Sequence, residues 1–214
     1  TFKNEELKLS KAKDSDLEIG MMREGKKLYP FQKAGVQFME KHNGRVLLAD
    51  EPGLGKTIQT LAYMERHPDK RPVLIIPPAT LKINWREEID DWLTKNKEVY
   101  TLNGESNLGG LPEADIYIAN YSILYPRLQD LATIYPEILV MDESHEIRNK
   151  GTKKSQSVFV LASEDKKKAI KNIKKTIQED IDKTKNKVPV KTKDLDYEIE
   201  EEKAKIDKIK KKAK

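Results

Sequence analysis

Asp50–Thr57, reading DEPGLGKT, follows directly on the apolar run Val46–Ala49, VLLA. A glycine-rich turn between a buried strand and a helix points successive backbone N–H groups at one place, and the positive end of the helix is aimed there too. Phosphate oxygens belong in such a cradle. Gly53, Leu54 and Gly55 line the turn, Lys56 is suited to neutralise β- and γ-phosphates, and the Thr57 hydroxyl to ligate a bridging Mg2+. Asp50 stands where the G-x-x-x-x-G-K-[ST] pattern has its first glycine. The plain alternative is a glycine-rich helix start that binds nothing.

A second element removes most of that alternative. Asp142–His145, DESH, directly follows another apolar run, Ile138–Met141. An acidic pair at the carboxyl end of a different strand is what a phosphate-loop ATPase needs opposite its lysine. Asp142 would hold Mg2+ through water, and Glu143 would polarise the attacking water as general base. Acids at a helix start also simply favour its dipole. Two such elements in the order of one fold make that bland reading the weaker one.

Hydrophobic periodicity supplies the frame. It predicts helices over 30–42, 56–65, 81–93, 122–131 and 152–161, and strands over 45–49, 73–76, 99–102, 116–119 and 138–141. Alternation of this kind gives an α/β fold with a doubly wound parallel sheet and a ligand at its carboxyl edge. The chain has 214 residues, room for one domain with an appendage or for two small domains. It has no cysteine, which excludes disulfides and thiolate metal sites. No apolar run reaches the roughly 18 residues of a membrane span, and the start carries no signal-peptide segment. An intracellular protein is expected, cytoplasmic if prokaryotic or viral and nuclear if eukaryotic. The chain opens with Thr1 rather than methionine, as a trimmed start does.

The net charge of +5 is unevenly spread. Residues 164–214 carry 18 lysines against 12 acids, which leaves the first 163 residues at −1. Any nucleic-acid affinity of the main lobe must come from a local stripe of donors, not from an overall field.

Several segments together resemble the first motor lobe of the Swi/Snf-related helicase-like ATPases of helicase superfamily two, nearest to the annealing-helicase branch. They are LYPFQKAGVQFM (28–39), RVLLADEPGLGKTIQTLAYM (45–64), VLIIPPATLKINWREEIDDWL (73–93), IANYSIL (118–124) and DESHEIRNKGTKKS (142–155). The resemblance covers roughly 26–162. It implies a RecA-like lobe over 26–163 that uses ATP and Mg2+, with double-stranded or branched DNA as partner; residues 1–25, polar with scattered apolar positions, read as an N-terminal extension, either a short strand pair or a segment lying on the lobe. It also implies a second RecA-like lobe, absent from this chain, whose arginines reach the γ-phosphate. Gln32 is implied as the reader of adenine, with Tyr29 or Phe31 near the base, although Phe31, Val36 and Phe38 could instead be the core face of a helix that leaves Gln32 solvated. His145 is implied as a coupler to the other lobe. Thr80, Lys82, Asn84, Tyr121 and Ser122 are implied as contacts to a nucleic-acid backbone, with capping by Thr80 and packing of Trp85 as the structural alternative.

The implied activity is DNA-dependent ATP hydrolysis that remodels or reanneals duplex DNA, and without the second lobe this chain is expected to hydrolyse ATP poorly. A strand-separating DNA or RNA helicase, and an ATP-binding interaction fragment that does not hydrolyse, remain as alternatives.

Residues 164–214 form a lysine-rich appendage, helical by the spacing of Ile170, Ile173, Ile177 and Ile181 or else partly disordered. Family members carry a Ser/Thr-Gly-Thr-Pro type turn a few tens of residues after DESH, on a strand lying between those of the phosphate loop and DESH. No such turn occurs here. Residues 158–163 could supply that strand, but continuity with KGTKKS favours helix. The expectation is an omitted segment or a truncated product, with two strand edges left exposed.

Overall fold

The computed structural model describes residues 14–20, 22–94, 97–104 and 110–163, with 171, 175 and 179. The chain divides into two units, Thr1–Lys166 and Lys167–Lys214, and the description concerns the first. Residues 171, 175 and 179 are helical, and the rest of the appendage expected over 164–214 lies outside the described residues.

Among its described residues the first unit has five α-helices and four strands. They are α1 (Pro30–Lys41), α2 (Lys56–Arg66), β1 (Val73–Ile76), α3 (Lys82–Trp92), β2 (Val99–Thr101), β3 (Ile116–Ile118), α4 (Leu128–Ala132), β4 (Ile138–Met141) and α5 (Lys153–Leu161). Short 3-10 turns over Ala79–Leu81, Tyr121–Ile123 and Ser144–Ile147 follow β1, β3 and β4. The strands form one parallel sheet in the order β2-β3-β1-β4. Parallel strands need crossovers, and α3 supplies the one from β1 to β2 and α4 the one from β3 to β4. Central β1 is the continuous run VLII, every residue buried, as a strand covered on both faces requires.

Leu61 and Met64 of α2, and Trp85, Ile89 and Leu93 on or next to α3, pack with Val73, Ile75, Ile116 and Ile118 in one core cluster. A second cluster joins α1 to α2 through Val36, Met39, Ala62 and Tyr63, and takes in Ile19 and Leu28. The described part of the expected N-terminal extension therefore lies on the lobe, held there also by a bond from the Arg66 guanidinium to the Glu18 carbonyl. Beyond the end of α2, Arg71 donates to the carbonyls of Met64, His67 and Lys70, all at 3.2 Å, and satisfies the last turn.

Two local expectations are corrected. The segment 45–49 carries no regular secondary structure: Val46 and Leu48 pack against the second cluster and Leu47 is 71 % exposed, but among the described residues it pairs with no strand. Alternation of side chains alone does not make a sheet; a neighbour must take the backbone groups. Among the described residues none lies beyond β4, whose residues are only partly buried and whose Met141 is 38 % exposed. The helix expected over 122–131 is the 3-10 turn followed by only Leu128–Ala132. Pro126 cannot donate a backbone bond and crowds the preceding turn. Residues 158–161 belong to α5, whose N-cap Thr152 accepts from the Ser155 amide at 3.3 Å.

Candidate nucleotide site

α2 ends at Arg66 and the chain enters β1 at Val73, so α2 runs against β1 and its start lies toward the carboxyl edge of the sheet. Asp142 follows β4 at that same edge, where its amide donates to the Ile76 carbonyl at 3.0 Å. The topology thus brings Asp50–Thr57 and Asp142–His145 to one rim. A cavity of about 500 Å³ lies at the opposite rim, lined by Arg71, Glu98, Glu113, Asp115 and others, away from both elements.

The turn before α2 is shaped by its glycines. Gly53 and Gly55 have φ of +87° and +74°, a region that L side chains seldom adopt. A Cβ at Gly53 would meet nothing within 4 Å, whereas one at Gly55 would meet the Gln32 amide nitrogen at 2.4 Å. Lys56 Nζ donates to the carbonyls of Asp50 at 2.7 Å and Glu51 at 3.1 Å, which folds the ammonium over the turn. Asp50 and Leu54 lie on the exposed side of the turn, and Thr57 is half-buried at the first turn of α2.

Asp142 is held at both carboxylate oxygens. Its Oδ1 accepts from the Glu143 amide at 2.9 Å, and its Oδ2 accepts from the Trp85 indole Nε1 at 2.8 Å. An ionised carboxylate offers about four lone-pair sites, so two donors fix its orientation and leave capacity for a hydrated cation. The Tyr121 hydroxyl donates to the Asp142 carbonyl at 2.7 Å. Burial, and then the charges of Asp142, Glu146 and Glu143, push that phenol well above its ordinary pKa, so it stays a donor. Glu143 sits in the left-handed region at φ 49°, ψ 51°, and its exposed carboxylate lies 3.2 Å from His145 Nδ1. Glu146 pairs with Lys154, whose hydrogen bond and charge hold its carboxyl below the usual range.

The remaining expected residues are distributed as follows. Gln32 is 4 % exposed, accepts from the Tyr29 amide at 2.9 Å, and turns its amide nitrogen to the Leu54 carbonyl at 3.4 Å. It is neither solvated nor flanked by a core Phe31: Tyr29 and Phe31 stack outside, centroids 5.8 Å apart. Thr80, Asn84 and Ser122 are exposed along the carboxyl edge. Thr80 caps no helix. Lys82 spends its ammonium on the Leu102 carbonyl at 2.9 Å. Tyr121 is 4 % exposed and committed to Asp142, so its hydroxyl supports the acid rather than facing a strand in solvent.

Two contributors escaped sequence reasoning: the Trp85 indole on Asp142, and Gln59, whose amide donates to Asp50 Oδ2 at 2.9 Å. The polar end of Trp85 in an otherwise apolar helix face was the available signal.

Comparison with known proteins supports this fold. Residues 31–168 match the model of the SNF2-related domain. The DNA annealing helicase and endonuclease ZRANB3 of Mus musculus is 30 % identical over 141 residues, 63 % of this chain and 13 % of that protein. The SWI/SNF-related matrix-associated actin-dependent regulator of chromatin subfamily A-like protein 1 of Xenopus tropicalis is 30 % identical over 141 residues, 64 % of this chain and 14 % of that protein. Among solved structures, the Sulfolobus solfataricus SWI2/SNF2 ATPase core in complex with dsDNA superposes with a TM-score of 0.59 at 27 % identity, over 67 % of this chain and 31 % of that one. The chain thus spans about one seventh of the length of these curated relatives.

Proposed function

The chain belongs to the SNF2-related domain family, and on that premise we propose that it is the ATP-binding lobe of a DNA-dependent ATPase that moves along duplex DNA and remodels or reanneals it. The observation that carries this reading is the meeting of the glycine turn and the doubly held Asp142 at one rim of a parallel sheet. The donor set fits Mg-ATP: a lysine able to leave two carbonyls for phosphate oxygens, a threonine at the helix start, and an oriented carboxylate opposite. When bound, that nucleotide supplies the phosphoanhydride whose hydrolysis drives the cycle.

In this reading Lys56 would neutralise the phosphate charge, and Thr57 with Asp142 would hold Mg2+. Glu143 orients and deprotonates the attacking water. His145, beside Glu143, reports the state of that carboxylate to a second lobe. Gln32 recognises adenine through its amide while remaining joined to the turn at Leu54. Thr80, Asn84 and Ser122 donate to a nucleic-acid backbone without reading its bases, which suits a motor indifferent to sequence. Arginines of a second lobe would add the on the order of 10³- to 10⁵-fold that such groups give in related phosphoryl transfer. The relatives' names, an annealing helicase and a chromatin regulator, favour duplex DNA as the track and an intracellular site of action.

The test is ATP turnover of the whole protein with and without duplex DNA, beside Lys56→Ala and Glu143→Gln. The expected result is DNA-stimulated turnover that both variants abolish. Turnover unchanged in both variants overturns the assignment of the site.

A further inference from the structure

Gln59 is fully buried in the first turns of α2, and its amide is an odd choice for that place. The amide nitrogen donates to Asp50 Oδ2 at 2.9 Å and lies 3.4 Å from the Leu54 carbonyl. The amide oxygen has no hydrogen-bond partner. It fills the place of the missing side chain at Gly35 of α1: a Cβ there would stand 1.8 Å from it. A buried acceptor without a partner is costly and uncommon. Rotating the amide gives no relief, because its oxygen would then face the Asp50 carboxylate, which can only accept. Leucine would fill the gap between the two helices with no unpaired atom. Packing alone therefore does not account for the amide; the carboxylate does.

The geometry points to Gln59 as a positioning residue for the phosphate-binding turn, a strut between its two ends at Asp50 and Leu54, and this rests on the reading of the turn given above. Asp50 brings a negative charge to the position where the phosphate-loop pattern has glycine. Left to swing, that carboxylate would repel a polyanion. Held by Gln59, it lies against α2, while its backbone carbonyl remains with Lys56 Nζ at 2.7 Å. Gly35 is the third part of the device, since only a residue without a side chain leaves room for the amide oxygen. Gln32, one turn earlier on α1, reaches the same Leu54 carbonyl, so the helix proposed to meet adenine and the turn proposed to meet phosphate are joined through one atom.

The experiment is equilibrium titration of the full 214-residue chain with Mg-ATP, paired with unfolding of the same variants without nucleotide. Gln59→Leu leaves the unfolding midpoint little changed, because deleting an unpaired polar atom offsets the loss of the bond to Asp50. It weakens Mg-ATP binding by about ten- to a hundredfold, the range for losing one hydrogen bond to a charged group. Gln59→Glu alone sets two carboxylates together and weakens binding further. Adding Asp50→Asn to it restores a donor–acceptor pair in the reverse sense and returns affinity to within about threefold of wild type, as coupled neighbours do. Gly35→Ala presses on the amide from the opposite side and weakens binding while α1 stays folded. A rescue by the reversed pair is a result that packing alone does not produce. Where wild type binds Mg-ATP and Lys56→Ala does not, yet Gln59→Leu binds like wild type or the reversed pair fails to rescue, the positioning role falls and the site stands. Where wild type and Lys56→Ala bind equally weakly, the site reading falls and takes this role with it.

Discussion

Replacing Trp85 by phenylalanine removes one N–H and part of a ring, which makes it a direct probe of how Asp142 is held. The indole is 4 % exposed and donates to Asp142 Oδ2 at 2.8 Å. A hydrogen bond to a charged group contributes about 1.5–3 kcal/mol. The smaller ring leaves roughly 40 Å³, which at about 24 cal/mol per Å³ adds about 1 kcal/mol. The expected loss is therefore about 2.5–4 kcal/mol in urea unfolding, followed through Trp92, the one tryptophan that remains. Asp142→Ala closes a double-mutant cycle, and its coupling to Trp85→Phe should be at least about 1.5 kcal/mol. Effects that add within about 0.5 kcal/mol would refute the claim that the indole supports the acid. In the same variant the Mg2+ concentration needed for half-maximal nucleotide binding should rise, since a carboxylate free to rotate holds a hydrated cation less well.

Two further outcomes follow from local geometry. Burial alone would raise the Glu40 carboxyl, but hydrogen bonds from Arg66 at 2.7 Å and His67 at 3.0 Å overcome it and hold the group below the ordinary carboxylate value of 4.5. A depressed carboxylate contributes stability above its unfolded value and loses it as pH falls through the folded one, so the melting temperature should drop on acidification below about 4.5, and Glu40→Gln should flatten that drop. Glu143→Gly relieves a left-handed backbone at φ 49° and should raise unfolding stability by about 1 kcal/mol while abolishing ATP turnover, with no gain in stability counting against backbone strain at that position.

Much of this molecule is legible in its residues because the signals are local. The run VLII, the glycine pattern before α2 and the acids after β4 each act within a few positions of themselves. The segment 45–49 misled because its alternation is real, with Val46 and Leu48 inward and Leu47 outward, while pairing depends on a neighbour no local pattern reports. Pro126 was a legible break in the expected helix after β3 and outweighed the apolar spacing on either side of it. The contacts that tune the site were not legible. Trp85 and Asp142 are 57 positions apart, and Gly35 and Gln59 meet only because α1 crosses α2 closely. Such pairs are products of tertiary packing, invisible to any window along the chain.

That unladdered stretch changes what governs the distance between lysine and acid. In a strand, a row of backbone bonds would clamp the turn to the sheet directly. Here the clamp is α2, through Leu61 and Met64 resting on Val73 and Ile75. The helix thereby ties the place of Lys56 to side chains seated in the core, so the geometry of the rim rests on packing well away from it.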